Sequence, residues 1–197
     1  MKLYWAPQTR ASRAVWLLEE AGVDYEVETV DIRAKPRKDS PGFLEASPMG
    51  KVPALVDGDV SVAESSAIGI YIADRYAQGR LAPALDDALR GKYLYWMLYT
   101  PAVIEPAMAE KFSGAERNRQ SHGWGDYDAM ITTLEAGLAG HDWILGENFS
   151  AADVMVGSSV VFMRLFDILP ESKRLSEYAD RCLARPAYVA ALEREGG

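Results

Sequence analysis

Apolar residues recur at two different periods along this chain, and the changes of period mark its elements. Residues 2–6 are a short run around Leu3, Tyr4 and Trp5 that Pro7 closes, which predicts a strand. From Arg13 to Ala21 the spacing turns helical. Val15, Leu18 and Ala21 share one side, Trp16 and Leu17 widen it, and Gly22 supplies the stop. Tyr25 to Ile32 alternates and predicts a second strand. Residues 33–51 hold three Pro and two Gly, so they read as a loop with one short helix around Phe43–Ala46.

Ala54-Leu55-Val56 and Val60-Ser61-Val62-Ala63 flank Asp57-Gly58-Asp59, a hairpin signal, because Asp-Gly supplies the positive φ of tight hairpin turns. Ser65 or Ser66 can cap the helix that follows, which carries Ile68, Tyr71, Ile72 and Tyr76 at core spacing. Strand-helix-strand followed by strand-strand-helix is a thioredoxin-like α/β layout. A small doubly wound sheet would need a helical crossover between every pair of strands, which the hairpin argues against.

Residues 79–87, with Gly79, Pro83 and two Asp, read as a linker, and the remainder is helical. Tyr93, Trp96, Met97, Thr100, Ile104 and Met108 mark one face of a long helix that Pro101 and Pro106 must kink or interrupt. Another helix fits Tyr127 to Leu138. Ser150-Ala151-Ala152-Asp153 opens an apolar helix to about Leu165 with a capping-box pattern, Asp standing for the usual Glu. One or two last helices run from Leu175 to Glu195, broken at Pro186. The fold class is therefore α/β plus all-α: a thioredoxin-like domain over 1–78, a linker over 79–87 and an all-helical domain over 88–197.

Composition narrows the function. The 197 residues are 49% hydrophobic and 25% charged, enough for a sizeable core, and the net charge is −8. Residues 1–78 hold 9 basic and 12 acidic side chains, and the remainder 12 and 17, so neither part is a basic module that would grip nucleic acid. The cluster Arg33, Lys35, Arg37 and Lys38 reads as a solvated loop. A single cysteine, Cys182, excludes an internal disulfide and a Cys-x-x-Cys pair, fits a reducing cytoplasm, and reads as a buried apolar residue. With two histidines, His122 and His141, the composition argues against a histidine metal site. No apolar stretch approaches the roughly 20 residues of a membrane span, and the start shows no leader with a cleavage site.

Four segments carry a resemblance: Thr9 to Glu20 (Thr-Arg-Ala-Ser-Arg-Ala-Val-Trp-Leu-Leu-Glu-Glu), Ser47-Pro48-Met49-Gly50-Lys51-Val52-Pro53-Ala54-Leu55, Glu64-Ser65-Ser66-Ala67-Ile68, and Ser150 to Asp153. In this order and spacing the chain resembles the cytosolic glutathione transferases over essentially its whole length, most nearly bacterial and fungal members. The resemblance implies a cis peptide before Pro53, pairing of Val52 with the cysteine of glutathione so that the tripeptide docks as an extra strand, and capture of the γ-glutamyl group by Glu64 and Ser65. Read from chemistry alone, Ser65 could be just an N-cap. Lys51 matches a position that meets the glycine carboxylate in some members, and is otherwise a solvated lysine. The thiol activator falls at Thr9, with Ser12 the next candidate; Thr9 also reads as a helix cap. The electrophile site is expected between the domains, lined by Tyr99, Trp96, Met108 and Phe112, residues whose spacing equally suits core.

The implied activity is conjugation of the glutathione thiolate to a hydrophobic electrophile, with glutathione as co-substrate and no metal, in a cytoplasmic homodimer serving detoxification, without nucleic-acid or membrane partners. Two alternatives stand beside it. One is a non-catalytic relative that binds ligands or partners; the other is a specialised glutathione-dependent isomerase, peroxidase, dehalogenase or ether-cleaving enzyme.

Overall fold

The computed structural model describes residues 1–35, 39–114 and 120–196. Arg37 and Lys38 of the basic cluster lie outside the described residues. Arg33 and Lys35 are exposed, on a loop where Asp31 Oδ1 accepts the N–H groups of Arg33 and Ala34, each at 3.0 Å.

Two compact units form: Met1–Gln78 with Arg185–Gly197, and Gly79–Ala184. In the first unit the order is β1 (Lys2–Trp5), α1 (Ala11–Ala21), β2 (Glu26–Thr29), α2 (Pro41–Ala46), β3 (Ala54–Asp57), β4 (Val60–Ala63) and α3 (Ser65–Tyr76). The strands make one mixed sheet ordered β2-β1-β3-β4, with β1 parallel to β2 and antiparallel to β3, and β4 antiparallel to β3. This is the thioredoxin-like layout. Inner strand β1 keeps Leu3, Tyr4 and Trp5 buried, whereas the outer strands β2 and β4 are mostly exposed. Edge position explains why the alternating run Tyr25–Ile32 yields only four paired residues: β1 alone is there to pair with it.

Gly22 ends α1 in the left-handed conformation, at φ 67°. Beneath α2, Phe43, Ala46, Tyr4, Val30 and Ala54 form a small core cluster, with Val52 and Val56 packed against it. Pro41 sits in the first turn of α2, and Ser40 caps it by accepting the Phe43 N–H.

The second unit contains α4 (Arg90–Tyr99), α5 (Glu105–Ser113), α6 (Tyr127–Gly137), α7 (Ala151–Leu165) and α8 (Lys173–Leu183). A π-helical turn, Thr100–Ile104, separates α4 from α5, and the Glu105 N–H reaches back to the Thr100 carbonyl. Pro101 has no N–H to offer the carbonyl four residues before it, and the chain winds more widely just where that donor is lost. The interruption at Pro101 is thus a change of winding rather than a break. Cys182 is fully buried in α8, and a Cβ on Gly157 of α7 would fall 2.5 Å from its sulfur, so that glycine is what lets the two helices approach.

One boundary differs from the expectation of a helical domain running to residue 197. The last helix, α9 (Pro186–Gly196), packs on α1 inside the first unit. Tyr188 meets Trp16 edge-on at 4.9 Å between ring centres, and Arg185 grips Glu20 with two nitrogens. The buried Glu20 carboxylate also accepts the Trp16 indole N–H at 2.9 Å, so this outer side of α1 is complete only with the chain terminus laid upon it.

Candidate functional site

Strand register gathers three of the motif segments at one end of the sheet. Ala54 pairs with Tyr4 on one side and Ala63 on the other. Pro53 and Glu64 each stand one residue beyond this ladder, Pro53 ahead of Ala54 and Glu64 after Ala63. The loop leaving β1 through Pro7 and Thr9, the segment entering β3 through Lys51, Val52 and Pro53, and the start of α3 at Glu64 and Ser65 therefore come together. Residues more than fifty positions apart are joined by two antiparallel ladders.

The Val52–Pro53 peptide is cis. Val52 is half-buried, and among the described residues neither its N–H nor its C=O is paired. This place is not a sheet edge. β3 is an inner strand, and Val52 lies just ahead of its first ladder residue, Ala54. An extended peptide would pair with the lead-in to β3 rather than add a strand to the sheet. The Lys51 side chain is exposed.

Glu64 is the N-cap of α3 and is held at φ 70°, ψ 124°. A positive φ is uncommon for a residue with a Cβ and costs about 1–3 kcal/mol. Its carbonyl accepts the Ile68 N–H at 2.9 Å, which starts the helix. Its carboxylate makes no cap bond and stands in solvent. Ser65 is therefore inside the helix, not capping it, and among the described residues its hydroxyl has no hydrogen-bond partner. That removes the reading of Ser65 as an N-cap. The N–H groups of Ser65 and Ala67 in the first turn of α3, which have no intrahelical acceptor, lie beside the exposed Glu64 carboxylate and the Ser65 hydroxyl. Such a group suits a zwitterion: a carboxylate for the N–H groups and the serine, an ammonium for Glu64.

Thr9 braces the first loop. Its hydroxyl donates to the Ala6 carbonyl at 2.6 Å and accepts the Ala11 N–H at 3.1 Å. Its single proton is thus engaged, and the neighbouring Gln8 holds a positive φ of 57°. Ser12, half-buried in the first turn of α1, has no side-chain hydrogen bond among the described residues.

The expected electrophile residues belong to the second unit and divide into two groups. Trp96 and Tyr99 are interior and cluster with Tyr95, with ring centres 4.9 to 5.3 Å apart. The Tyr99 hydroxyl points to the Met130 carbonyl at 3.5 Å, and burial pushes its pKa above the ordinary phenol value, opposed by a hydrogen bond with Thr133. Met108 is likewise interior. Phe112 is half-exposed and meets Phe166 edge-on at 6.5 Å. The core reading of that helical face therefore holds for three of the four. Among the described residues no group of His, Cys, Asp and Glu could hold a metal ion, and no helix is long and apolar enough to cross a membrane.

Comparison with known proteins agrees with this arrangement. Residues 1–74 match the model for the glutathione S-transferase N-terminal domain, and residues 84–181 that for the C-terminal domain. Glutathione S-transferase 3 of Zea mays is 32% identical over 78% of this chain and 73% of its own length. This chain belongs to the glutathione S-transferase family. Among solved structures, a sphingomonad glutathione S-transferase complexed with glutathione is 30% identical, with a TM-score of 0.81 and coverage of 100% of this chain and 99% of that one. The ternary complex of BphK, a bacterial glutathione S-transferase, is 26% identical with a TM-score of 0.83 over the whole of both chains.

In this glutathione S-transferase two further residues find their partners only through the fold. Ser47 was legible only as part of a longer motif; its role depends on where Lys51 folds back to. Asp153 was legible as a cap, but not as a wholly buried carboxylate, because that depends on Tyr178 and Ile144 arriving over it.

Proposed function

We propose that this glutathione transferase carries out its conjugation at the end of the sheet where β1, β3 and α3 meet, joining the sulfur of glutathione to an apolar electrophile. The observation that carries this reading is the unpaired backbone of Val52 beside the open start of α3. Val52 takes the cysteine residue through main-chain hydrogen bonds, Glu64 takes the ammonium, and Ser65 with the first-turn N–H groups takes the α-carboxylate. Lys51 lies near enough along the chain to meet the glycine carboxylate. The thiol loses its proton to solvent, the thiolate forms a bond to the electrophilic carbon, and the leaving group departs with the bonding pair.

Ser12 and Thr9 are the hydroxyls available to the sulfur. Ser12 donates directly, while Thr9 shapes the loop and donates only if it releases Ala6. A free thiol with pKa near 8.5 is ionised to only a few per cent at pH 7. One hydrogen bond to a charged group, about 1.5–3 kcal/mol, plus a helix N-terminus, about 0.3–1, lowers that by about two units. Ionisation then rises about 25-fold, and the loss of intrinsic nucleophilicity takes back about 8-fold. Most of the rate must come from holding the electrophile at the sulfur. Of the four apolar candidates Phe112 is the one presented to solvent, whereas Trp96, Tyr99 and Met108 are interior to their own unit.

The lone buried cysteine supports residence in the reducing cytoplasm, and the family supports a homodimer acting in detoxification. Calorimetric titration with glutathione, followed by conjugation of an aryl halide, tests the reading. Binding with turnover is expected. Folded protein that gives no heat with millimolar glutathione would overturn it, and light scattering at a monomer's mass would remove the dimer.

A further inference from the structure

We propose that Ser47 is a positioning residue for glutathione: its hydroxyl holds both main-chain groups of Lys51, and so aims the main chain of Val52 at the tripeptide. The inference rests on the reading that Val52 pairs with glutathione.

Every polar group of Ser47 is used, and each bond has a direction. Its N–H donates to the Phe43 carbonyl at 2.8 Å, which fastens it to the end of α2. Its carbonyl accepts the Gly50 N–H at 2.7 Å and closes a turn over Pro48 and Met49. Pro suits the second place of such a turn, and the positive φ of 60° at Gly50 suits glycine. The side-chain hydroxyl accepts the Lys51 N–H at 3.0 Å and donates to the Lys51 carbonyl at 2.7 Å. A single hydroxyl thus holds both main-chain groups of one residue, and that residue immediately precedes Val52.

The anchor is rigid at its other end. Ser47 is 2% exposed, and Phe43 and Ala46 of α2 are set in the core cluster with Tyr4, Val30 and Ala54, on which Val52 also rests. A continuous path therefore runs from the core through α2 and the Ser47 hydroxyl to Lys51 and the unpaired Val52. Without the hydroxyl, the turn could still close through Gly50, but Lys51 and Val52 would be free to rotate. Glutathione would then have to order them on binding, which weakens affinity without altering the chemistry once it is bound.

The exposed turn residue Met49 and the outward Lys51 side chain take no part in this clasp, so the clasp is separable from any direct contact they make with ligand.

The test is calorimetric titration of glutathione into the wild type, Ser47→Ala and Ser47→Thr, with kcat for an aryl halide at saturating glutathione and amide spectra of the wild type. Expected are a Kd about tenfold higher in Ser47→Ala, kcat within twofold of wild type, and recovery of most of the affinity in Ser47→Thr. In the free wild type the Lys51 N–H should exchange slowly and the Val52 N–H fast, with Val52 becoming protected when glutathione is added. An unchanged Kd in Ser47→Ala, or a Lys51 N–H exchanging as fast as that of Val52, overturns the proposal. A parallel fall in kcat and melting temperature that Ser47→Thr does not repair also overturns it, because Ser47 would then be structural alone. If Ser47→Ala fails to fold, the exchange measurement on the wild type decides. If glutathione binds and the Val52 amide is unmoved, it is the underlying reading of Val52 that fails.

Discussion

The Tyr178 hydroxyl donates to Asp153 Oδ1 at 3.0 Å, and neither side chain has any exposed surface. The same oxygen accepts the Ile144 N–H at 2.8 Å, while Oδ2 accepts the Ser150 N–H at 2.9 Å and the Ser150 hydroxyl at 3.0 Å. One carboxylate thus ties the start of α7 to the loop before it and to α8.

Burial outweighs these hydrogen bonds and pushes the Asp153 pKa up to about 6. The folded protein therefore binds more protons than the unfolded chain between about pH 4 and 6, and this group's contribution to stability is full below that window and lost as pH rises through it. A shift of about two units amounts to about 3 kcal/mol. Urea unfolding at several pH values should show a slope in Asp153→Asn that differs from wild type across pH 4–6, together with lower stability at pH 7, because an amide nitrogen cannot accept the Ser150 N–H. An identical slope in the two proteins would remove Asp153 as its source.

At Glu64, backbone and side chain separate. Glu64→Ala keeps the unfavourable φ and loses the carboxylate, so glutathione affinity should fall about tenfold or more with little change in melting temperature. Glu64→Gly should bind as weakly yet melt no lower than Glu64→Ala, since relief of φ offsets the added freedom of the unfolded chain. Wild-type affinity in both variants would take Glu64 out of the site.

For the two hydroxyls, the pKa of enzyme-bound glutathione, read from ultraviolet thiolate absorbance, is decisive. Ser12→Ala should raise it by about one to two units. Thr9→Val breaks the brace to Ala6 and Ala11, and should weaken binding and stability while the thiol pKa stays put. The opposite pattern would assign activation to Thr9. If Thr9→Ala leaves conjugation unchanged altogether, Thr9 has no part in the mechanism.

Removing Arg185 exposes the dependence of α1 on the chain terminus. Arg185→Ala removes both guanidinium bonds to the buried Glu20 carboxylate and should destabilise by about 3 kcal/mol. Denaturant unfolding measures it, and a loss under 1 kcal/mol would mean that the Arg185–Glu20 pair does not hold α9 in place.

Legibility differed by residue. The Asp57-Gly58 hairpin and the helix beginning at Ser65 were plain because turn chemistry and apolar period are local. Trp96, Tyr99 and Met108 were ambiguous for the reason that one apolar stripe serves a core and a binding wall equally. The extent of β2 and the destination of α9 were not legible, since pairing partners and docking faces lie far off in sequence.

By itself the sequence determined which segments become strand or helix, the order of the sheet-forming half before the helical half, and the family, because spacing and side-chain type act over a few neighbouring residues. Only tertiary structure decided that Val52 stands free ahead of an inner strand, that Ser65 leaves the capping to Glu64, that the Thr9 proton is taken, and that Asp153 is sealed from water. Each of those depends on a partner brought in from a distance by register or packing, and distance along the chain says nothing of distance in space.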